Sequence, residues 1–232
     1  SPLDKIGWLA GESGELQNWA RENGQWRRFA PREVIYLAGD EPDGLYGLAN
    51  GTLEISFPLD GVNDISIHRA EPGFWLGESA LLSGAPRMVS LIAATDCLVF
   101  HIPAAAMERL TIEKPEAWRA FYRQSHINQM QTARLLAESI ALSPRARFSR
   151  LLLRLAENGD EIVGTQESLG ALLGLRITTC IIIMASLVAA QAIESGYGRI
   201  KIRDKDVLER FALEETDNAD LPFTKKSDSA GH

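Results

Sequence analysis

Residues 75–87 read WLGESALLSGAPR: Gly77-Glu78 opens a short apolar turn from Ser79 to Leu82, and Ser83-Gly84-Ala85-Pro86-Arg87 closes it. A glycine, an acid and a helix start gather free backbone N–H groups and a partial positive charge at one spot. Arg87 can fold back and fork onto an anion held there. The carboxylate of Glu78 is the wrong group for a phosphate but accepts a hydrogen bond from a sugar hydroxyl. A phosphate and a ribose hydroxyl held together describe a nucleotide. By itself the stretch reads better as a tight surface loop closed by an Arg–Glu pair, so its surroundings decide.

Upstream, Phe29, Val34, Ile35 and Leu37 precede Gly39-Asp40; Tyr46 and Leu48 precede Asn50-Gly51; Leu53, Ile55 and Phe57 precede Asp60-Gly61. Short β-rich runs punctuated by Gly, Asp and Asn turns predict an all-β barrel or sandwich. Asn50-Gly51 between two such runs predicts a tight hairpin. Ile65 and Ile67 continue the strands into Glu71-Pro72-Gly73, and Leu91, Ala93, Cys97, Val99 and Phe100-His101-Ile102 supply the last ones. Cys97, within an apolar run, reads as a small core residue. Ahead of the strands, residues 1–23 form an amphipathic lead-in with Ile6, Leu9, Leu16, Trp19 and Ala20 at helical spacing, weakened at its start by Gly7, Gly11 and Gly14.

Downstream, from Pro115 to Leu142, a helical stripe carries Trp118, Phe121, Tyr122, Ile127, Met130, Leu135, Leu136 and Ile140. A helix of that length reaches about 40 Å, so its apolar seam needs a partner, unless it packs along its own strands. Ser143-Pro144 suits an N-cap and first helical position. Phe148, Leu151, Leu152 and Leu155 then define a core face that Asn158-Gly159 ends. Thr165 caps a short helix, Gln166 to Leu173, followed by a Gly174-Leu175 turn and a second helix from Arg176 to Ser195 that Gly196 stops. Tyr197 to Ile202 alternates like the strand of a wing, and helix, glycine turn, helix, wing is the winged helix-turn-helix order. Asp204 to Phe211 predicts a terminal capped helix, and residues 213–232 a disordered tail.

Over roughly residues 15–212 these motifs resemble the CRP/FNR superfamily of bacterial transcription regulators. WLGESALLSGAPR resembles the phosphate-binding cassette of cyclic-nucleotide-binding domains, and TQESLGALLG with the later ESGYGRIKI resembles the DNA-binding module. The resemblance implies an α+β chain: a β-roll (double-stranded β-helix or jelly roll) over 15–114, a long dimerisation helix over 115–142, a winged helix-turn-helix over 143–212, and the tail. It implies a homodimeric, cytoplasmic, effector-responsive regulator that binds DNA and contacts RNA polymerase. Cyclic AMP or another small effector is then expected on Gly77, Glu78, Arg87 and Thr132, and DNA on Thr165, Gln166, Arg176, Thr178, Thr179, Arg199 and Lys201.

Two positions depart from the family pattern. Relatives follow the cassette arginine with Ser or Thr and a small residue, whereas Arg87 is followed by Met88 and Val89. A lost hydrogen bond to a charged group costs about 1.5–3 kcal/mol, and Met88 is bulky enough to crowd a phosphate. Where relatives read Ser-Arg-x-Thr-Val-x-Arg, this chain reads Arg176-Ile177-Thr178-Thr179-Cys180-Ile181-Ile182, with isoleucine at both arginine positions. Isoleucine has no donor for guanine O6 or N7 and at best touches a thymine methyl. The centre from Cys180 to Met184 predicts burial on every face. The alternative reading is a degenerate member, a sensing or scaffolding dimer without sequence-specific DNA binding whose apolar helix takes a protein contact.

Composition sets the outer bounds. The 232 residues, 45% hydrophobic and 24% charged, suffice for two modest domains, each with a core. No apolar run reaches the roughly 18–20 residues of a membrane span and no basic-then-apolar leader is present. Two distant cysteines suit a reducing cytoplasm better than a disulfide framework. The net charge of −7 is uneven: residues 1–142 carry 12 basic and 18 acidic side chains, residues 143–213 carry 10 and 8. Only the second block is basic, as a nucleic-acid-facing module would be. His68, His101, His126 and His232 lack metal-ligand neighbours, and the cysteine set for haem or an iron–sulfur cluster is missing. With no G-x-S-x-G, Walker or Rossmann motif, neither catalytic residues nor a metal site are expected.

Overall fold

The computed structural model describes residues 2–59, 64–156, 159–196 and 198–215. The expected turns at Asp60-Gly61 and Asn158, Tyr197 of the wing, and the tail from 216 onward lie outside those residues. The chain divides into two compact units, residues 1–135 and 136–232.

In the first unit the lead-in glycines limit regular helix. Two 3-10 turns, Pro2–Asp4 and Trp8–Gly11, precede α1 (Gly14–Asn23), which Ser13 caps. Eight strands follow: β1 (Gln25–Phe29), β2 (Val34–Tyr36), β3 (Gly44–Asn50), β4 (Leu53–Phe57), β5 (Ile65–Ala70), β6 (Trp75–Leu76), β7 (Ser90–Ala93) and β8 (Cys97–Pro103), with α2 (Glu78–Ser83) between β6 and β7. They form two antiparallel sheets, ordered β1-β8-β3-β6 and β2-β7-β4-β5. Tyr36, Tyr46, Leu48, Leu53, Ile55, Leu91 and Val99 pack between them. On the other face of the first sheet, Leu45, Trp75, Phe100 and Ile102 pack with Trp8, Met107 and Phe121 from the flanking helices. β3 is thus covered on both sides, which explains why six consecutive residues of it are buried.

The hairpin expected at Asn50-Gly51 is corrected. β3 pairs with β6 and β8, whereas β4 pairs with β5 and β7, so this turn carries the chain from one sheet to the other. Gly51 supplies φ +90° there, and a Cβ on it would lie 2.3 Å from Asp96 O. The Asn-Gly pair does bend the chain tightly, but the strand it leads into joins the second sheet.

After β8, α3 (Ala104–Glu113) and a 3-10 turn at Pro115–Ala117 lead to α4 (Trp118–Ala141), about 36 Å of helix. In the first unit its inner face carries Ala120, Phe121, Gln124 and Ser125, all buried, and its outer face leaves Trp118, Tyr122, Ile127 and Met130 exposed.

The second unit contains α5 (Pro144–Leu155), β9 (Glu161–Val163), α6 (Gln166–Ala171), α7 (Ile177–Ala189), β10 (Ile193–Gly196), β11 (Arg199–Ile202) and α8 (Lys205–Phe211). Its sheet runs β10-β11-β9, and its core holds Phe148, Leu152, Leu169, Cys180, Met184, Leu187, Ile200 and Leu208. Ser143, Thr165 and Asp204 cap α5, α6 and α8 through their side-chain oxygens. The last turns of α4 belong here because Glu138 is buried against Arg154, at 2.9 Å, and Arg150, at 3.3 Å.

Two expectations shift. The second helix of the helix-turn-helix ends at Ala189 rather than Ser195: Gln191 takes φ +58°, the Ala192 N–H turns back to Leu187 O at 3.0 Å, and residues 193–196 become a strand. The chain is also held past 213, where the tail was expected to start. Arg145 Nε donates to Glu214 Oε2 at 2.8 Å, Ser143 N donates to Glu214 O at 3.0 Å, and Leu142 bridges to Glu215.

Candidate functional site

The cassette is built by a backbone shape that only glycine takes easily. Gly77 sits between β6 and α2 with φ +118°, and a Cβ there would lie 2.6 Å from Arg87 Nη1 and 2.7 Å from Gly44 O. Arg87 returns to this point and is only 4% exposed. Its Nη1 donates to Gly77 O at 3.0 Å, and its Nη2 donates to Gly44 O at 2.7 Å and to Asp43 Oδ1 at 2.8 Å. The guanidinium lies 4.2 Å from the centre of the Tyr36 ring, a cation–π contact. The chain therefore supplies an anion to its own cassette arginine.

That anion is itself held. Asp43 Oδ2 accepts from Tyr46 OH at 2.6 Å and faces His101 Nε2 at 3.5 Å. Burial pushes the Asp43 carboxyl up, but the hydrogen bonds from Tyr46 and Arg87 outweigh it, and the group lies below its ordinary value. Burial, then the charge of Arg27, holds the His101 imidazole below its ordinary value.

Glu78 opens α2 and is 1% exposed. Its Oε1 accepts from Asn128 Nδ2 at 3.1 Å, and burial raises its pKa against the pull of Asn128, Ser125 and Arg87. Trp75 O, at the head of the cassette, accepts from Gln124 Nε2 at 2.7 Å and Asn128 Nδ2 at 3.0 Å. The inner face of α4 is thus bonded to the cassette through amides. Thr132 lies exposed one turn beyond Asn128, with its hydroxyl on Asn128 O at 3.0 Å. The structure joins Gly77 to Arg87 directly, holds Glu78 beside them, and gives Thr132 no contact with the three. Met88 is 65% exposed, so it does not crowd the buried guanidinium.

The second candidate surface is in the helix-turn-helix. Thr165 and Ser168 form a reciprocal capping box at the start of α6, with Gln166 half-buried beside it. Gly174, at φ +63°, turns the chain, and Arg176 stands exposed at the start of α7. Thr178 is exposed and Thr179 half-buried. The burial expected around the whole of α7 is corrected. Cys180, Ile183, Met184 and Leu187 face the core, but Ile177, Ile181, Ile182 and Val188 face solvent. On the wing, Arg199 pairs with Glu161 at 2.7 Å and Arg203 with Glu194, while Lys201 lies exposed between them in register with both acids.

Asp43, Tyr36, Gln124, Asn128 and Glu138 escaped the sequence reading. Asp43 is 44 residues from the arginine it holds and belongs to no local motif. The amides had a weak signal in their helical spacing beside Phe121. Among the described residues no group of His, Cys, Asp and Glu could hold a metal ion, and no helix is long and apolar enough to cross a membrane. Both cysteines are buried free thiols.

Comparison with known proteins bears on both surfaces. Residues 26–114 match the family model of the cyclic nucleotide-binding domain, and residues 146–211 match that of the Crp-like helix-turn-helix domain. Transcriptional regulator LdrP of Thermus thermophilus is 28% identical over 194 residues, 80% of this chain and 96% of its own. The crystal structure of a CRP-family transcriptional regulator from the same organism superposes with a TM-score of 0.67 at 26% identity, covering 80% of this chain and 96% of that one. The cAMP-dependent protein kinase regulatory subunit of Candida albicans is 26% identical over 140 residues, 60% of this chain and 28% of its own.

Proposed function

Because the chain belongs to the CRP/FNR family of DNA-binding transcription regulators, we propose that it acts as a cytoplasmic homodimer joined along α4 and tuned by a small effector at its β-roll. The observation that carries this reading is the outer edge of α4. Tyr122 and Met130 are half or more exposed on α4 in the first unit, and Leu136 and Ile140, one turn apart, are half or more exposed on its last turns in the second. Large apolar side chains left in solvent on a long helix mark a partner surface, and pairing that helix with its own copy covers them on both chains. The two free thiols accord with a reducing compartment.

In this reading Gly77, Glu78 and Arg87 remain the effector cassette, but cyclic AMP or another anionic effector must take Arg87 from Asp43 to bind there. Thr165, Gln166, Arg176, Thr178, Thr179, Arg199 and Lys201 face DNA, and RNA polymerase is the partner that reads the bound dimer. The test is light scattering of the purified chain, with DNA binding followed in parallel. We expect twice the chain mass of 25.5 kDa, and expect Leu136→Asp with Ile140→Asp to yield a folded monomer that binds a two-half-site duplex at least tenfold more weakly. A wild-type monomer at micromolar concentration would overturn the dimer.

A further inference from the structure

We infer that α7 reads thymine through its C5-methyl group, with Ile181 and Ile182 as the residues that set sequence preference. The inference rests on the DNA-binding role above and deepens it. In a helix-turn-helix the second helix lies in the major groove with its N-terminal residues at the base edges. Here the solvent-facing side of that helix presents Ile177, Thr178, Ile181, Ile182, Ala185 and Val188. Ile182 is 70% exposed and is the most open of them among the large apolar residues.

No Arg, Lys, Asn, Gln, Asp or Glu lies anywhere between residues 177 and 189. The pairings that identify guanine, adenine and cytosine by forked or accepted hydrogen bonds are therefore absent from this helix. Of the features that base pairs present in the major groove, the one that an aliphatic side chain recognises is the thymine methyl. The core is complete without these isoleucines, because Cys180, Ile183, Met184 and Leu187 fill the inner face. Near the apolar strip Arg176 stands exposed at the helix start, while on the wing Arg199, Lys201 and Arg203 outnumber the exposed acids Glu161 and Glu194 that lie beside them. That frame suits a polyanion whose backbone is held at the edges while methyl groups meet the centre. A purely proteinaceous partner for the strip is the competing outcome.

The test begins with selection of duplexes by the full chain from a random library, with and without cyclic AMP, followed by anisotropy titration of the selected duplex. Each thymine in the half-site is then replaced by deoxyuridine, which deletes only the methyl. We expect thymine-rich half-sites, and a loss of roughly fourfold in affinity for each contacted methyl, the worth of one buried methyl group. We also expect that loss to disappear in Ile181→Ala with Ile182→Ala, since the coupling between the methyl and the side chain is what the double substitution cycle measures. Both isoleucines are exposed, so the variant keeps its core. Sequence-selective binding that is indifferent to deoxyuridine would overturn methyl reading while leaving the regulator intact. Failure to select any sequence, with only salt-sensitive binding or none, would overturn both and return the apolar strip to a protein partner.

Discussion

On the effector reading proposed above, replacing Asp43 by asparagine should weaken the fold and strengthen anion binding at once, because the carboxylate occupies the guanidinium assigned to the effector. Asp43 Oδ1 lies 2.8 Å from Arg87 Nη2. Two unit charges about 4 Å apart attract by about 4 kcal/mol at an effective dielectric constant of 20. The Asp43 side chain is 50% exposed, so solvent screens much of this. Arg87 also keeps the carbonyls of Gly44 and Gly77, and asparagine still offers an acceptor. The net loss of stability is then about 1–2 kcal/mol. In urea denaturation the midpoint should fall while the slope stays the same. Calorimetric titration with cyclic AMP should show affinity rising about tenfold, the equivalent of about 1.4 kcal/mol of removed competition. The pH dependence has a definite sign. A carboxyl whose folded-state pKa lies below its ordinary 3.8 stabilises the fold above that value and loses its contribution as the pH falls through the lowered one. The gap between wild type and variant should therefore close in acid below about pH 3.8. An unchanged midpoint, or an unchanged affinity for the nucleotide, would refute the idea that Asp43 competes with a ligand for this arginine.

Four further substitutions probe the two units. Burial raises the pKa of Glu78, so the folded chain binds this proton more tightly than the unfolded one and stability declines as the pH rises above 4.5. Glu78→Gln, which still accepts from Asn128, should raise the melting temperature at pH 7 and leave it unchanged near pH 4. Gly77→Ala should cost about 1–3 kcal/mol, since it adds backbone strain to a clash with Arg87, whereas Gly84→Ala, with positive φ but nothing within 4 Å, should cost about 1 kcal/mol; chemical denaturation ranks the two. Glu138→Ala leaves Arg150 and Arg154 without their shared carboxylate and should cost about 2–3 kcal/mol, read as faster amide exchange in α5.

What could be read in the sequence was local. The caps at Ser143, Thr165 and Asp204 follow from residues within one helical turn, and the glycine-punctuated strands follow from their own alternation. The misses were choices between distant partners. Asn50-Gly51 specifies a backbone bend, but whether β4 returns beside β3 or crosses to the other sheet depends on β6 and β8, which compete for β3's edges. Five consecutive apolar residues in α7 show no period, so only the packed core reveals that Ile181 and Ile182 face outward while Ile183 and Met184 face in. The cassette glycine, acid and arginine were legible as a constellation. That Asp43 would occupy the arginine was not, since 44 residues separate them and only the roll brings them together.

The amide bonds between α4 and the cassette make this helix a torsion shaft. Asn128 alone holds Trp75 O at 3.0 Å and Glu78 Oε1 at 3.1 Å, and Gln124, one turn earlier, grips the same carbonyl. At a radius of about 5 Å, a twist of about 20° around the helix axis carries a side chain nearly 2 Å sideways, enough to break both bonds. The azimuth of α4 and the state of the cassette are therefore one variable rather than two. Displacing Glu78 would remove one of these three bonds, and the two on Trp75 O would still fix the azimuth, so the rotation needs the whole head of the cassette to move.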